Sequence, residues 1–386
     1  MGDMEAIRFR VQDLQELAVR IFRAVETPAD TAQIVASALV DANLAGHDSH
    51  GVIRIPDYVE RIRRGDVRPM ARPRVLAHRA ATALVSGEWG FGQLAGLAAI
   101  DEAVTRVREY GVAAVGVVRC NHLGRVGSYV ERAAAAGCVA GVWVGGFGRG
   151  RAVPHGGSRP ALGTNPLAAG FPVHGEDPVV VDFATTAVAV GKIMVAHAAK
   201  KHLPPGSIID ERGRPTTDPA DFLKGGGALL PFGGHKGYSL AVLAELLGLA
   251  LTGADAYGTD GGGGDVFRHA GALFWAIDVG AFRPAEEAEA AAERIAGRLR
   301  AIPPAAGFDR VYTPGEPEAR TRRQREQDGI ALPGETWRAI VAAAESVGVS
   351  PASLPQAVEA PAGAGTEKRL SRMHRGAAGR RPRGRR

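Results

Sequence analysis

The stretch from residue 112 to 144, VAAVGVVRCNHLGRVGSYVERAAAAGCVAGVWV, decides the fold class. Val112 to Val118 and Cys138 to Val144 are apolar runs of strand length, and the segment between them reads as a polar loop followed by a helix ending at Gly137. A strand, a polar loop and a helix leading to a second strand indicate a lobe built around a sheet. Downstream, Val179 to Phe183 repeats the strand pattern, and upstream Leu97, Ile100, Val104 and Val107 mark the core face of a helix.

Beyond the sheet the periodicity is helical. Leu14, Leu17, Ala18, Ile21 and Phe22 recur at i, i+3, i+4, i+7 and i+8 and place one apolar stripe on a first helix. Thr27, Pro28 and Asp30 read as the N-cap, N1 proline and reciprocal acid of a second, running to Leu44. Residues 285–300 and 334–347 return to helix, and the Gly/Asp run 256–265 reads as a loop. The fold class expected is α+β, with a helical lobe (1–75 and 284–347) and a sheet-containing lobe (76–283). Residues 348–386 are expected to be a linker and a basic, unfolded tail.

At 386 residues the chain is long enough for two lobes, and 45% hydrophobic with 23% charged residues is ordinary globular composition. Its net charge of +6 belongs to the tail: residues 367–386 carry nine Lys/Arg and one Glu, so the rest of the chain sums to −2. That distribution favours a solvated extension over a nucleic-acid- or partner-binding arm. Cys120 and Cys138 make no disulfide framework, the start has no apolar leader, and Leu240 to Leu251 is too short to span a bilayer. A reducing cytoplasm is the expected compartment.

Two motifs look more informative than they are. Gly90-Phe91-Gly92-Gln93-Leu94-Ala95-Gly96 resembles a dinucleotide fingerprint, but the next strand ends in Val118-Arg119-Cys120-Asn121 without the acid that would hold a ribose. Lys236 follows His235 where a Walker A loop needs glycine.

The residues able to carry chemistry lie in short polar segments. In Gly46-His47-Asp48-Ser49-His50-Gly51, an imidazole at His50 precedes Arg54 by four positions. An imidazole exchanges protons near neutral pH and a guanidinium grips a carboxylate with two parallel hydrogen bonds, a combination suited to a 2-oxo or 2-hydroxy acid. His122, in the loop after the first strand, is a second acid/base candidate, since catalytic groups gather at strand ends. Both could equally be turn or cap residues. Zinc held by His47, His50 and His122 lacks the usual ligand spacing. Pro231 to Gly237 (PFGGHKG), before an apolar helix, could hold a pyrophosphate through its glycine amides, the helix N-terminus and Lys236, or be a plain glycine turn. Gly163 to Pro166 and Val181 to Thr186 add hydroxyls and one carboxylate that could face a nucleotide or equally be ordinary turn and cap chemistry.

Together these segments resemble the malate/L-lactate dehydrogenase family, NAD(P)-dependent oxidoreductases of non-Rossmann topology. The likeness runs from about residue 8 to 347 and rests on GHDSHGVIR (46–54), NHLGRVGSY (121–129), LGTNPLA (162–168), VDFATTAVAVGK (181–192), RPTTDP (214–219), LPFGGHKGYSL (230–240) and PGE (314–316). The resemblance implies a homodimer using NAD or NADP, a small 2-hydroxy/2-oxo acid substrate, and His122 or His50 as proton acceptor/donor. It further implies Ser49 and Arg54 at the substrate, Arg54 on the carboxylate, and a cofactor site from Asp182, Phe183, Ala184, Thr185, Thr186, His235, Lys236, Gly315 and Glu316. The alternatives are a cyclic imino acid (piperideine-2-carboxylate-like) reductase and an inactive body carrying a binding tail. This chain departs from many relatives at Gly145-Gly146-Phe147-Gly148, where they carry a Thr/Asn/Ser cluster.

Overall fold

An open seven-stranded sheet runs in the order Arg74–Arg79, Thr82–Ser86, Val112–Val118, Gly271–Asp278, Cys138–Gly145, Leu167–Phe171, Val179–Phe183. It belongs to a computed structural model that describes residues 6–146, 150–257, 261–350, 352 and 354–358. Thr82–Ser86 and Val112–Val118 are parallel, and the other neighbours antiparallel. A parallel pair needs a long crossover, here the helix Gly92–Tyr110. The strands expected at Val112–Val118 and Val179–Phe183 have those bounds, and the one from Cys138 extends by one residue. The strand at the sheet's centre, Gly271–Asp278, was not expected; Ala272, Phe274 and Ala276 on alternate positions are fully buried.

Both faces of the sheet are covered. Helices Gly92–Tyr110 and Gly127–Ala135 pack on one face over Ala113, Val115 and Val117. On the other lies a π-helical segment, Leu246–Leu251, continuing the helix His235–Glu245. Backbones meet there: a Cβ on Gly248 would stand 2.6 Å from the Gly145 nitrogen. The glycine run at 90–96 also serves packing. A Cβ on Gly92 would lie 2.3 Å from the His122 carbonyl oxygen, and one on Gly96 2.4 Å from Tyr129 Cζ, so these glycines let the helix close on the loop that carries His122.

The helical core gathers Leu14, Leu17, Ala18, Ile21 and Phe22 from Val11–Ala24 with Val35, Leu39, Ile55, Ile340 and Ala344. Strand Ile7–Phe9 pairs with Ile330–Leu332, joining remote parts of the chain, and Phe9 packs on Trp337 with centroids 4.3 Å apart. One expected detail is corrected. The second helix is Ala29–Leu44, and Pro28 at ψ 148° is still extended, which leaves Thr27 one position too early to cap it. Thr27 Oγ1 is buried without a partner, and Asp30 accepts the Thr31 N–H and pairs with Arg72.

Helix Ala285–Arg300 buries Ala296, and its Arg300 pairs with Glu176 beside the sheet. The basic run 367–386 lies outside the described residues. Among the described residues no helix is long and apolar enough to cross a membrane.

Candidate active site

The loop carrying His50 is shaped by a side chain from the preceding helix. Asn43 accepts the Val52 N–H through Oδ1 at 2.8 Å and donates to Asp48 Oδ1 at 2.6 Å, and Arg325 holds Asp48 from the far side at 2.6 Å. Two 3-10 turns, Asp48–His50 and Val52–Arg54, result. The turn folds Arg54 back so that its Nε donates to the Ser49 carbonyl at 2.7 Å, while Ser49 Oγ stands 3.0 Å from His50 Nδ1. Arg54 forms no ion pair with a carboxylate among the described residues, so its terminal nitrogens remain available. Asp48, held by Asn43 and Arg325, is the clamp that fixes this turn.

His122 is brought to the same place from the sheet. The Asn121 amide donates to the carbonyls of Asp66, Trp89 and Gly90 at 2.9–3.1 Å, pinning the loop after Val112–Val118. His122 Nδ1 lies 2.8 Å from the Tyr58 hydroxyl, which accepts a hydrogen bond from Gln93 Nε2 at 2.8 Å. The rings of His50 and His122 stack with centroids 5.4 Å apart. Burial pushes the His50 imidazole down to about 3, with the Arg54 charge adding to it, and carries His122 well below its ordinary value for the same two reasons in the same order. Both rings are therefore neutral near pH 7. Burial raises Tyr58 to about 12, keeping its hydroxyl protonated.

A hollow of about 70 Å³ opens beside the two rings, walled by Leu123, Val126, Val144, Thr164, Pro166 and Phe267. Arg61 stacks over Phe267 at 4.9 Å, and Asp57 and Asp66 meet its charge.

Residues expected at the cofactor fall into three groups. Thr185 is bonded to Thr164 on the hollow's wall, its N–H donating to that carbonyl at 2.9 Å and its hydroxyl at 3.0 Å, and the Phe232 N–H donates to the Thr185 carbonyl at 3.0 Å. The Thr186 hydroxyl donates to Val188, and Phe183 packs edge-on to Phe232. Thr185 is thus one hydrogen bond from Thr164 on the hollow's wall, and Phe232, just before the glycine bend 233–234, is one hydrogen bond further. The bend needs glycine, with φ +55° and +62°, and opens a helix that no side chain caps. Lys236 in its first turn has no carboxylate partner among the described residues. This is a donor set that suits a pyrophosphate.

Asp182 is part of the interior. It accepts the Gly127 N–H at 2.9 Å and lies 3.8 Å from Arg125, whose guanidinium also pairs with Glu131 and Asp41. Burial raises its carboxyl above the usual range. Gly315 and Glu316 stand at the opposite end of Val179–Phe183, where Val180 N–H donates to Pro314 and Glu316 pairs with Arg300 and Arg310.

Tyr58 and Gln93 were missed. Tyr58 lies four residues after Arg54, a same-face spacing visible in the sequence. Gln93 sits inside the glycine run set aside as a false fingerprint.

Residues 9–341 match the family model for malate/L-lactate dehydrogenase. The chain is 38% identical over 350 residues to the L-lactate dehydrogenase of Cupriavidus necator, covering 89% of this chain and 99% of that one. It is 36% identical over 332 residues to a Δ1-pyrroline-2-carboxylate/Δ1-piperideine-2-carboxylate reductase of Pseudomonas putida, covering 84% and 94%. The solved sulfolactate dehydrogenase of Methanocaldococcus jannaschii superposes with a TM-score of 0.80 at 30% identity, over 89% of this chain and 98% of that one.

Proposed function

The chain belongs to the malate/L-lactate dehydrogenase family, and from that premise we propose that His122 and His50 handle the proton while a hydride moves between a nicotinamide and C2 of a small 2-hydroxy or 2-oxo acid. It is an oxidoreductase acting on 2-hydroxy acids. The observation that carries the assignment of roles is a pair of stacked, half-buried, neutral imidazoles beside a guanidinium with no carboxylate partner among the described residues.

Arg54 binds the substrate carboxylate. Its Nε is spent on the Ser49 carbonyl, which fixes the plane of the guanidinium and leaves the terminal nitrogens for two parallel hydrogen bonds. Ser49 steadies His50 through the contact to Nδ1. His122 exchanges a proton with the C2 oxygen at Nε2, the nitrogen that makes no hydrogen bond among the described residues. A substrate held at one end by Arg54 meets the histidines as a positioned reactant. When bound, the nicotinamide supplies or takes the hydride.

His235, Lys236 and the glycine bend hold the dinucleotide phosphates, and Phe183 to Thr186 lie along it. Asp182 contributes by holding the Gly127 turn, and Gly315 with Glu316 by bracing the start of the strand. The exposed Leu243, Leu246 and Leu251 on the helix that begins at this bend support a homodimer, which light scattering on the purified protein tests. Two buried free thiols support the cytoplasm as its compartment.

The test is a panel of pyruvate, oxaloacetate and a cyclic imino acid, each with NADH and NADPH. Turnover of a 2-oxo acid is expected, turnover of the imine alone moves the reading to the imino acid reductase, and no turnover of any sinks both. Nothing at the site favours the imine over the oxo acid.

A further inference from the structure

The hydrogen bonds around His122 have a direction. Tyr58 and Gln93 are 3% and 2% exposed, so no solvent competes for their polar atoms. Gln93 Nε2 has only protons to offer and donates to the Tyr58 oxygen at 2.8 Å. The hydroxyl has one proton, and the ring nitrogen 2.8 Å away is the acceptor within its reach. His122 Nδ1 must then be bare, and a neutral imidazole with a bare Nδ1 carries its proton on Nε2.

We infer that Tyr58 and Gln93 are positioning residues that set the tautomer of His122, leaving Nε2–H as a hydrogen-bond donor toward the cavity. Its use in catalysis rests on the reading given above; the tautomer itself does not. Burial supports the inference by keeping the imidazole neutral and the phenol protonated, so a single proton on the ring is what has to be placed. A donor at Nε2 complements the oxygen of a 2-oxo acid. The chain Gln93 to Tyr58 to His122 therefore presets the free enzyme for the keto form of its substrate. Gln93 Oε1 has no partner among the described residues. Nothing but the amide's own orientation thus opposes the reverse setting, in which Oε1 accepts from Tyr58, Tyr58 accepts from Nδ1–H and Nε2 is bare, the form able to take a proton from a 2-hydroxy acid.

The experiment is long-range ¹⁵N–¹H correlation on the full-length protein labelled at histidine, with His122 identified among the eleven histidines by comparison with His122→Asn. The native protein should show His122 protonated at Nε2 and bare at Nδ1. Tyr58→Phe keeps the ring that packs against Phe22 and Phe91 and should mix the two tautomers, while lowering kcat roughly 10-fold with KM little changed. Gln93→Glu replaces the donor by an acceptor and should move the proton to Nδ1. A native His122 protonated at Nδ1 overturns the inference, as does a Tyr58→Phe or Gln93→Glu protein whose tautomer matches the native one. Should the tautomers behave as expected while His122→Ala retains full turnover, the catalytic role of His122 falls and the tautomer assignment stands.

Discussion

The imidazoles of His50 and His122 lie face to face, centroids 5.4 Å and planes 18° apart, although 72 residues separate them in the chain. Each turns its Nδ1 to a hydroxyl, Ser49 for one and Tyr58 for the other, and Nε2 of each makes no hydrogen bond among the described residues. Two like groups at this spacing, both depressed by burial and by Arg54, do not both take a proton. On the proposed reading, the pair handles one proton at a time.

Replacing His122 by Ala should lower turnover by roughly 10² to 10⁴-fold, the usual contribution of a positioned acid/base. Cofactor affinity, read by fluorescence titration of NADH or NADPH, should change little. A variant with native kcat removes His122 from the chemistry.

Arg54→Lys should raise KM for the acid about tenfold or more, because a point charge replaces a fork held in plane by the Ser49 carbonyl. Steady-state kinetics at saturating cofactor decide it, and an unchanged KM places the carboxylate elsewhere.

The depressed histidines also predict how stability depends on pH. In the folded protein they bind their protons only well below 6.5, whereas in the unfolded chain they bind them near 6.5. The unfolded state therefore takes up more protons as pH falls. Their contribution is fully present above 6.5 and is lost as pH drops from there toward about 3, the folded value of His50. Tm measured between pH 8 and 5 should fall on the acid side, with a shallower fall in His50→Asn and His122→Asn. Equal slopes in native and variant proteins would show that neither ring is buried uncharged.

What the sequence made legible follows from what is local. Val112–Val118 and Val179–Phe183 were readable because each is a bounded apolar run. The central strand Gly271–Asp278 was not, because its place depends on pairing with strands more than 120 residues earlier. His50, Arg54 and His122 each stood out as polar residues in turns, but their meeting depends on Asn43 and Asn121 clamping two remote loops. The ion pair that Asp182 makes with Arg125 was not legible, because Arg125 reaches it from another element.

Gly96→Ala separates packing from phosphate binding in the glycine run. Its Cβ would stand 2.4 Å from Tyr129, whose hydroxyl donates to the Leu123 carbonyl next to His122. Overpacking of this kind costs about 1–3 kcal/mol, so Tm should fall measurably. A stable variant with weakened cofactor binding would return the run to the phosphates.

The walls of the hollow bear on which acid is used. Leu123, Val126, Val144, Pro166 and Phe267 are apolar, and among the described lining residues only the two histidines can carry charge. Arg61, which stacks over Phe267, is already met by Asp57 and Asp66. With Arg54 engaged on the first carboxylate, a second one entering this hollow would lose its hydration without gaining a counter-charge, at a cost of several kcal/mol. Each 1.4 kcal/mol is a factor of ten, so 2-oxobutyrate should exceed oxaloacetate in kcat/KM by on the order of 10²-fold. Thr164→Arg, which puts a cation on the wall, should narrow that ratio. Native protein that prefers oxaloacetate would mean that the substituent at C2 points away from the hollow, toward a cation elsewhere on the chain.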